Sequence, residues 1–172
     1  MTTDVHAELK DALVRAIQAE RDGFAFYTMA ARATRDEQGK ETFERMAQDE
    51  ADHATFLESH YKAILETGAL HPTAVLGAPK PFPEAFPIFS PRIRERLHDA
   101  QMELSALSIA VELELKSRQF YREQAAKATD HQVKSFFEEL AAWEGEHYGA
   151  LSRDLDSLKE DQWNAARFTP LY

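Results

Sequence analysis

The feature that most limits how this chain can fold is an internal repeat. Slid against itself by 94 residues, the sequence matches without a gap. Leu13 falls on Leu107, Ala16 on Ala110, Glu20 on Glu114, Phe26 on Phe120, Tyr27 on Tyr121 and Ala31 on Ala125. The register then holds for Phe43 and Phe137, Glu44 and Glu138, Ala47 and Ala141, Glu50 and Glu144, His53 and His147, and Leu57 and Leu151. A repeated unit of this size cannot bury its apolar face alone and must stack on its copy. The chain is therefore expected to be two copies of one structural unit, related by a pseudo-twofold axis.

That unit reads as a helical hairpin. Ala, Leu, Glu, Arg, Lys and Gln dominate, and apolar residues recur at spacings of three and four. The first hairpin is predicted over about 3–67, with its turn at "TRDEQGK" and Gly68 as the C-terminal cap. The second is predicted over about 92–158, with one helix running from Pro91–Arg92 to about Ala128 and the next from about Asp130. Between them, residues 68–91 hold six of the seven prolines and cannot form a long helix. Phe82, Phe86, Ile88 and Phe89 lie among those prolines, so the crossover is expected to pack along the helices. Residues 159–172 form a tail that adds at most a turn of helix and an apolar cap. Two hairpins and one long connection describe a single domain: an all-α, ferritin-like four-helix bundle.

Composition removes several classes of function. The net charge of −10 opposes nonspecific nucleic-acid binding and docking on anionic membranes. The absence of cysteine excludes disulfides, thiolate catalysis and Cys-ligated zinc or iron within this chain. Carboxylates and imidazoles are left as the strong metal ligands. No cationic start with an apolar run marks a signal peptide, and no apolar stretch is long enough for a membrane span, so a cytoplasmic location is expected.

Glu-x-x-His places a carboxylate and an imidazole on one helical face. With 7 His in 172 residues, about 0.8 such pairs are expected by chance. The chain has three: Glu50/His53, Glu95/His98 and Glu144/His147. The repeat sorts them. The first and third are copies of each other, whereas Glu95/His98 has no partner and reads as a surface pair. From Glu20 to the turn and back to Glu50, both legs cover about 20 Å at ~1.5 Å per residue. Glu114 and Glu144 return to one level in the same way. Four glutamates and two histidines therefore converge inside the bundle. Unpaired, such carboxylates would repel or protonate. Six ligands of this kind suit two first-row metal ions, and iron and manganese both accept them.

The stretches "ERDGFAFYTMAA" with "FERMAQDEADH", and "ELKSRQFYREQAA" with "FFEELAAWEGEH", resemble the two halves of the erythrin domain of the rubrerythrin family. The likeness covers the four helices and fails in the crossover. It implies a non-haem di-iron centre that reduces hydrogen peroxide or dioxygen in oxidative-stress defence. It also implies Glu50 and Glu144 as bridging ligands, Glu20 and Glu114 as terminal ones, and one histidine, His53 or His147, on each metal. Many members carry a further ligand Glu one turn after the position of Glu114. Here that position is Ser117 and its repeat partner is Gly23, which brings the six-ligand set closer to bacterioferritin-type centres. The family's rubredoxin-like domain is absent, as the lack of cysteine requires, so electrons would come from a separate donor protein such as a rubredoxin. A homodimer is expected for the enzyme, and a multi-subunit shell for the alternative, a ferroxidase or iron-storage protein.

Tyr27 and Tyr121 lie seven residues after Glu20 and Glu114, on the same face. Two roles stay open: bonding a ligand carboxylate or donating an electron during O–O cleavage, and simple core packing. Asp52 and Glu146 are expected at the surface, with a hydrogen bond to a ligand imidazole as the other possibility. Trp143 and Trp163 are expected to pack, and His6, His60, His71 and His131 to be exposed.

Overall fold

A computed structural model of the chain describes residues 2–77, 79, 82, 87–95 and 100–165. Among the described residues five helices follow one another: α1 Thr2–Ala33, α2 Glu37–Thr67, α3 Pro91–Glu95, α4 Gln101–Lys127 and α5 His131–Ala165. The fold is an all-α, ferritin-like bundle. α1 pairs with α2 and α4 with α5, which are the two hairpins of the repeat. α1 and α4 approach closely at their backbones, whereas α2 and α5 meet chiefly through large side chains such as Phe56 and Phe136, stacked at 5.4 Å.

The repeat is visible in the packing itself. Tyr27 stacks on Phe43 with ring centres 6.2 Å apart and planes at 27°. The matching pair, Tyr121 and Phe137, sits at 6.3 Å and 26°. Both hairpin turns use an aspartate at equivalent positions. Asp36 accepts the Gly39 N–H of α2, and Asp130 accepts the N–H groups of Gln132 and Val133 at the start of α5. Gly68 closes α2 in the left-handed conformation, at φ 78°, donating its N–H to the Ile64 carbonyl.

Two apolar clusters occupy the two ends of the bundle. One gathers Tyr27, Phe43, Met46, Leu107, Leu151 and Leu158; the other gathers Leu13, Phe56, Leu57, Tyr121, Phe137 and Leu140. Each large side chain fully buried contributes about 1.5–3 kcal/mol. These two cores can therefore carry the polar layer enclosed between them.

The crossover packs where it is described. Ile88 and Phe89 are buried, and Phe89 meets Phe43 edge-on at 6.0 Å. A side chain at position 39 would strike the Phe89 ring, its Cβ lying 2.4 Å from the ring edge, so glycine is required there. Asp36 also accepts from both the N–H and the hydroxyl of Ser90, which ties the crossover to the first hairpin turn. Phe86, Glu95's partner His98 and residues 166–172 lie outside the described residues.

Four expectations are corrected. The helix predicted from Pro91 to Ala128 is two helices, with Ala100 at φ −100° and ψ 28° before α4. The start of α4 is set by tertiary contact, since Glu103 in its first turn is buried and accepts from Thr34 Oγ1 and the Arg35 N–H. The last helix runs on past Leu158 to Ala165. His60 is buried, not exposed: its ring packs against both Phe56 and Phe136, and its Nδ1 accepts the His71 N–H at 3.1 Å. Trp163 is 64% exposed and does not fill the core.

Candidate metal centre

The polar layer between the two apolar clusters contains Glu20, Glu50, His53, Glu114, Glu144 and His147, all buried. α1 and α4 each supply one glutamate, and α2 and α5 each supply Glu-x-x-His. Their atoms form two groups able to hold metal: Glu20, Glu50 and His53, and Glu50, Glu114, Glu144 and His147. Glu50 belongs to both. Glu144 also reaches across, its Oε1 lying 3.2 Å from His53 Nδ1. His53 Nδ1 is 3.2 Å from Glu20 Oε2, and His147 Nδ1 is 3.4 Å from Glu114 Oε2. The two imidazoles lie 5.7 Å apart with planes at 22°.

Gly23 makes this crossing of carboxylates possible. A Cβ at position 23 would lie 3.2 Å from Glu50 Cδ and Oε2, so any side chain there would press on the carboxylate common to both groups. The tyrosines bond the opposite hairpin. Tyr27 donates its hydroxyl to Glu114, and Tyr121 donates to Glu20. Burial, followed by the facing carboxylate, pushes both phenols well above their ordinary range, so both remain donors.

Electrostatics divide the four carboxylates. Burial and then the charge of Glu20 push Glu50 well up, while burial and the charges of Glu20 and Glu114 do the same to Glu144. Burial acts upward on Glu20 too, but hydrogen bonds with Glu50 and His53 hold it at about 2. Glu114 is likewise lowered against the effect of burial, mainly through His147. Without a cation, then, the layer favours the charged form at Glu20 and Glu114 and the protonated form at Glu50 and Glu144. Glu114 Oε2, Glu144 Oε1 and His147 Nδ1 have no hydrogen-bond partner among the described residues, although all are buried. Donor atoms this deeply buried and convergent, close to one another but without a hydrogen bond, fit metal ions, which would satisfy them and displace protons from the carboxylates.

One contributor was not among the expected residues. Asp49 is buried and puts Oδ2 3.4 Å from His147 Nε2, on the side of the ring away from the carboxylates. Arg45 approaches the same oxygen at 3.9 Å and lies over the Phe82 ring of the crossover at 4.1 Å. A signal for Asp49 was present: it continues the inward stripe Phe43, Met46, His53, where an acid is out of place. Its repeat partner is Trp143, which is buried against His53 with ring centres 5.2 Å apart and donates its indole N–H to the Gly77 carbonyl at 3.0 Å. Asp52 and Glu146 are exposed, and Asp52 accepts from Gln48. Of the remaining histidines, His71 and His131 are exposed. The side chain of His6 is outside the described residues.

Among the described residues no helix is long and apolar enough to cross a membrane. The Rubrerythrin family model matches residues 11–94 and 105–170 of the chain. No curated protein matches it, and no solved structure does.

Proposed function

Because the chain belongs to the rubrerythrin family, we propose that it is a di-iron oxidoreductase that reduces hydrogen peroxide, or dioxygen, with electrons from an external donor protein. The observation that carries this reading is the sharing of Glu50 between two ligand groups, with Glu144 reaching both imidazoles. Shared carboxylates hold two cations close enough to act on one small molecule. When bound, a ferrous pair supplies the two electrons that reducing one peroxide to two waters consumes, together with two protons.

The residues of the chain do the rest. Glu50 and Glu144 would bridge, Glu20 with His53 would complete one site, and Glu114 with His147 the other. Tyr27 and Tyr121 fix the two terminal carboxylates by their hydroxyls, so each hairpin orients a ligand of the other. Asp49 holds the outer nitrogen of His147 and turns Nδ1 toward the carboxylates. The apolar clusters above and below close the layer along the bundle axis and strengthen each of these contacts. Manganese would be accepted by the same ligands. A rubredoxin-type donor, a homodimer and a cytoplasmic setting belong to this reading.

The test is to load metal-free protein anaerobically with ferrous iron and add hydrogen peroxide under stopped-flow absorbance. A rapid rise in near-ultraviolet absorbance, complete at one peroxide per two irons, is expected. No oxidation would overturn the proposal. One observation favours an iron-handling ferroxidase as the second reading: Ser117 stands where a seventh ligand would be, which leaves a six-ligand set. A particle of many subunits in solution would support that alternative, and a dimer the peroxide-reducing enzyme.

A further inference from the structure

A cavity of about 340 Å³ opens between α1 and α4 and reaches Glu50 and Glu114. Four pairs of repeat partners line it: Ala19 with Leu113, Asp22 with Lys116, Gly23 with Ser117, and Tyr27 with Tyr121. It therefore straddles the pseudo-twofold axis, above the carboxylate shared by the two ligand groups. Its walls are largely carbon, from Ala19, Leu113, Phe120 and the tyrosine rings. At the exposed rim Arg15 and Lys116 are paired with Asp11 and Glu112, and at the inner end stand the carboxylates of Glu50 and Glu114. The space exists because positions 23 and 117 carry small residues one turn beyond Glu20 and Glu114.

Hydrogen peroxide needs only a water-sized path. This cavity is in the range of roughly 300–1,000 Å³ that holds small organic ligands. An occupant must bring carbon to Leu113 and Phe120 and a reducible O–O group to Glu50 and Glu114. We propose that the cavity binds the organic group of alkyl and aryl hydroperoxides, and that these are substrates of the site. The inference rests on the peroxide-reducing reading above and names its substrate class. The reaction balances as ROOH + 2e⁻ + 2H⁺ giving ROH and H₂O. The O–O bond breaks, and the hydroperoxide takes two electrons from a ferrous pair that becomes ferric. Protons come from solvent, and a one-electron donor protein restores the ferrous pair.

The experiment compares cumene hydroperoxide with hydrogen peroxide on ferrous-loaded protein by stopped flow, for wild type and for Ser117→Phe, which fills the cavity. Ala19→Phe narrows the same space from the other helix and serves if the first variant does not fold. In wild type, cumene hydroperoxide should oxidise the protein at a rate within about tenfold of hydrogen peroxide and yield one cumyl alcohol per two irons oxidised. Filling the cavity should lower the cumene-to-hydrogen-peroxide rate ratio by at least about tenfold. Separately, cumyl alcohol added to metal-free wild type should shift the NMR signals of the Phe120, Tyr27 and Tyr121 rings, and should not do so in the filled variant. Oxidation by hydrogen peroxide but not by cumene hydroperoxide would overturn this inference and leave the proposed function standing. An unchanged rate ratio, or unchanged alcohol binding, in the filled variant would also overturn it. Oxidation by neither peroxide would remove the proposed function and this inference together.

Discussion

The two hairpins present the same carboxylates and imidazoles from the same positions, yet the surroundings of each histidine differ. Behind His147 stands Asp49, a buried carboxylate 3.4 Å from Nε2. Against His53 stands Trp143, the repeat copy of Asp49, with its ring edge-on at 5.2 Å, and the same indole lies edge-on to His147 at 5.9 Å. A carboxylate at the outer nitrogen fixes the tautomer and makes the imidazole a stronger base; an indole ring shapes the space without accepting its proton. The repeat thus sets a symmetric frame of carboxylates and imidazoles, and position 49 against 143 makes the surroundings of the two histidines chemically unequal. Glu50 and Glu144 join the halves, so the inequality is felt within one centre.

The largest effect tests the joint between the halves. Glu50→Ala should remove the ligand common to both groups and lower bound iron from two per chain to less than one, measured by metal content after loading and desalting. Glu20→Ala, which touches only one group, should leave about one. Next comes the asymmetry. Asp49→Asn should weaken the His147 site about 10- to 100-fold in metal affinity, read by competition with a chelator, while Trp143→Phe should change the His53 site far less.

A pH series sharpens the same contrast. In the metal-free protein burial acts downward on His147, but Asp49 and Glu114 raise it from 6.5 to about 10. The stability this provides is present in full below pH 6.5 and is lost as pH rises toward 10. Glu50 and Glu144, also raised, act in the same direction from 4.5 upward. Calorimetry should therefore show the metal-free melting temperature falling between pH 6.5 and 10, with a shallower fall in Asp49→Asn. Metal-loaded protein should lack this fall, because metal takes the place of the protons.

The smallest effect compares the two hairpin turns. Asp130→Ala should cost about 1 kcal/mol as a lost helix cap. Asp36→Ala should cost about 2 kcal/mol or more, because Asp36 also receives the N–H and hydroxyl of Ser90. Urea unfolding of the two variants measures the difference, and equal losses would show that the crossover is not held through that turn.

What was legible in the sequence follows from its periodicity. The register of 94 residues and the helical spacing placed both hairpins and brought Glu20, Glu50, His53, Glu114, Glu144 and His147 to one level, because helix rise is regular. Contacts between elements were less legible. The break before α4 has no glycine or proline to mark it, and it follows from Glu103 docking on Thr34 and Arg35. His60 is buried because the segment after α2 folds back and donates the His71 N–H to it, a contact no spacing encodes. Asp49 is hard to read from the sequence because its copy is Trp143: matches between the repeats do not mark a position where they differ.

The central claim is that the duplicated hairpins build one centre for two metal ions, and anaerobic titration of metal-free protein with ferrous iron tests it most directly. Mössbauer spectra of the ⁵⁷Fe-loaded protein should show two ferrous ions per chain in two distinguishable environments, converting together to a coupled diferric pair on addition of peroxide. Binding of one iron or none per chain, or two that oxidise independently without coupling, would contradict the account.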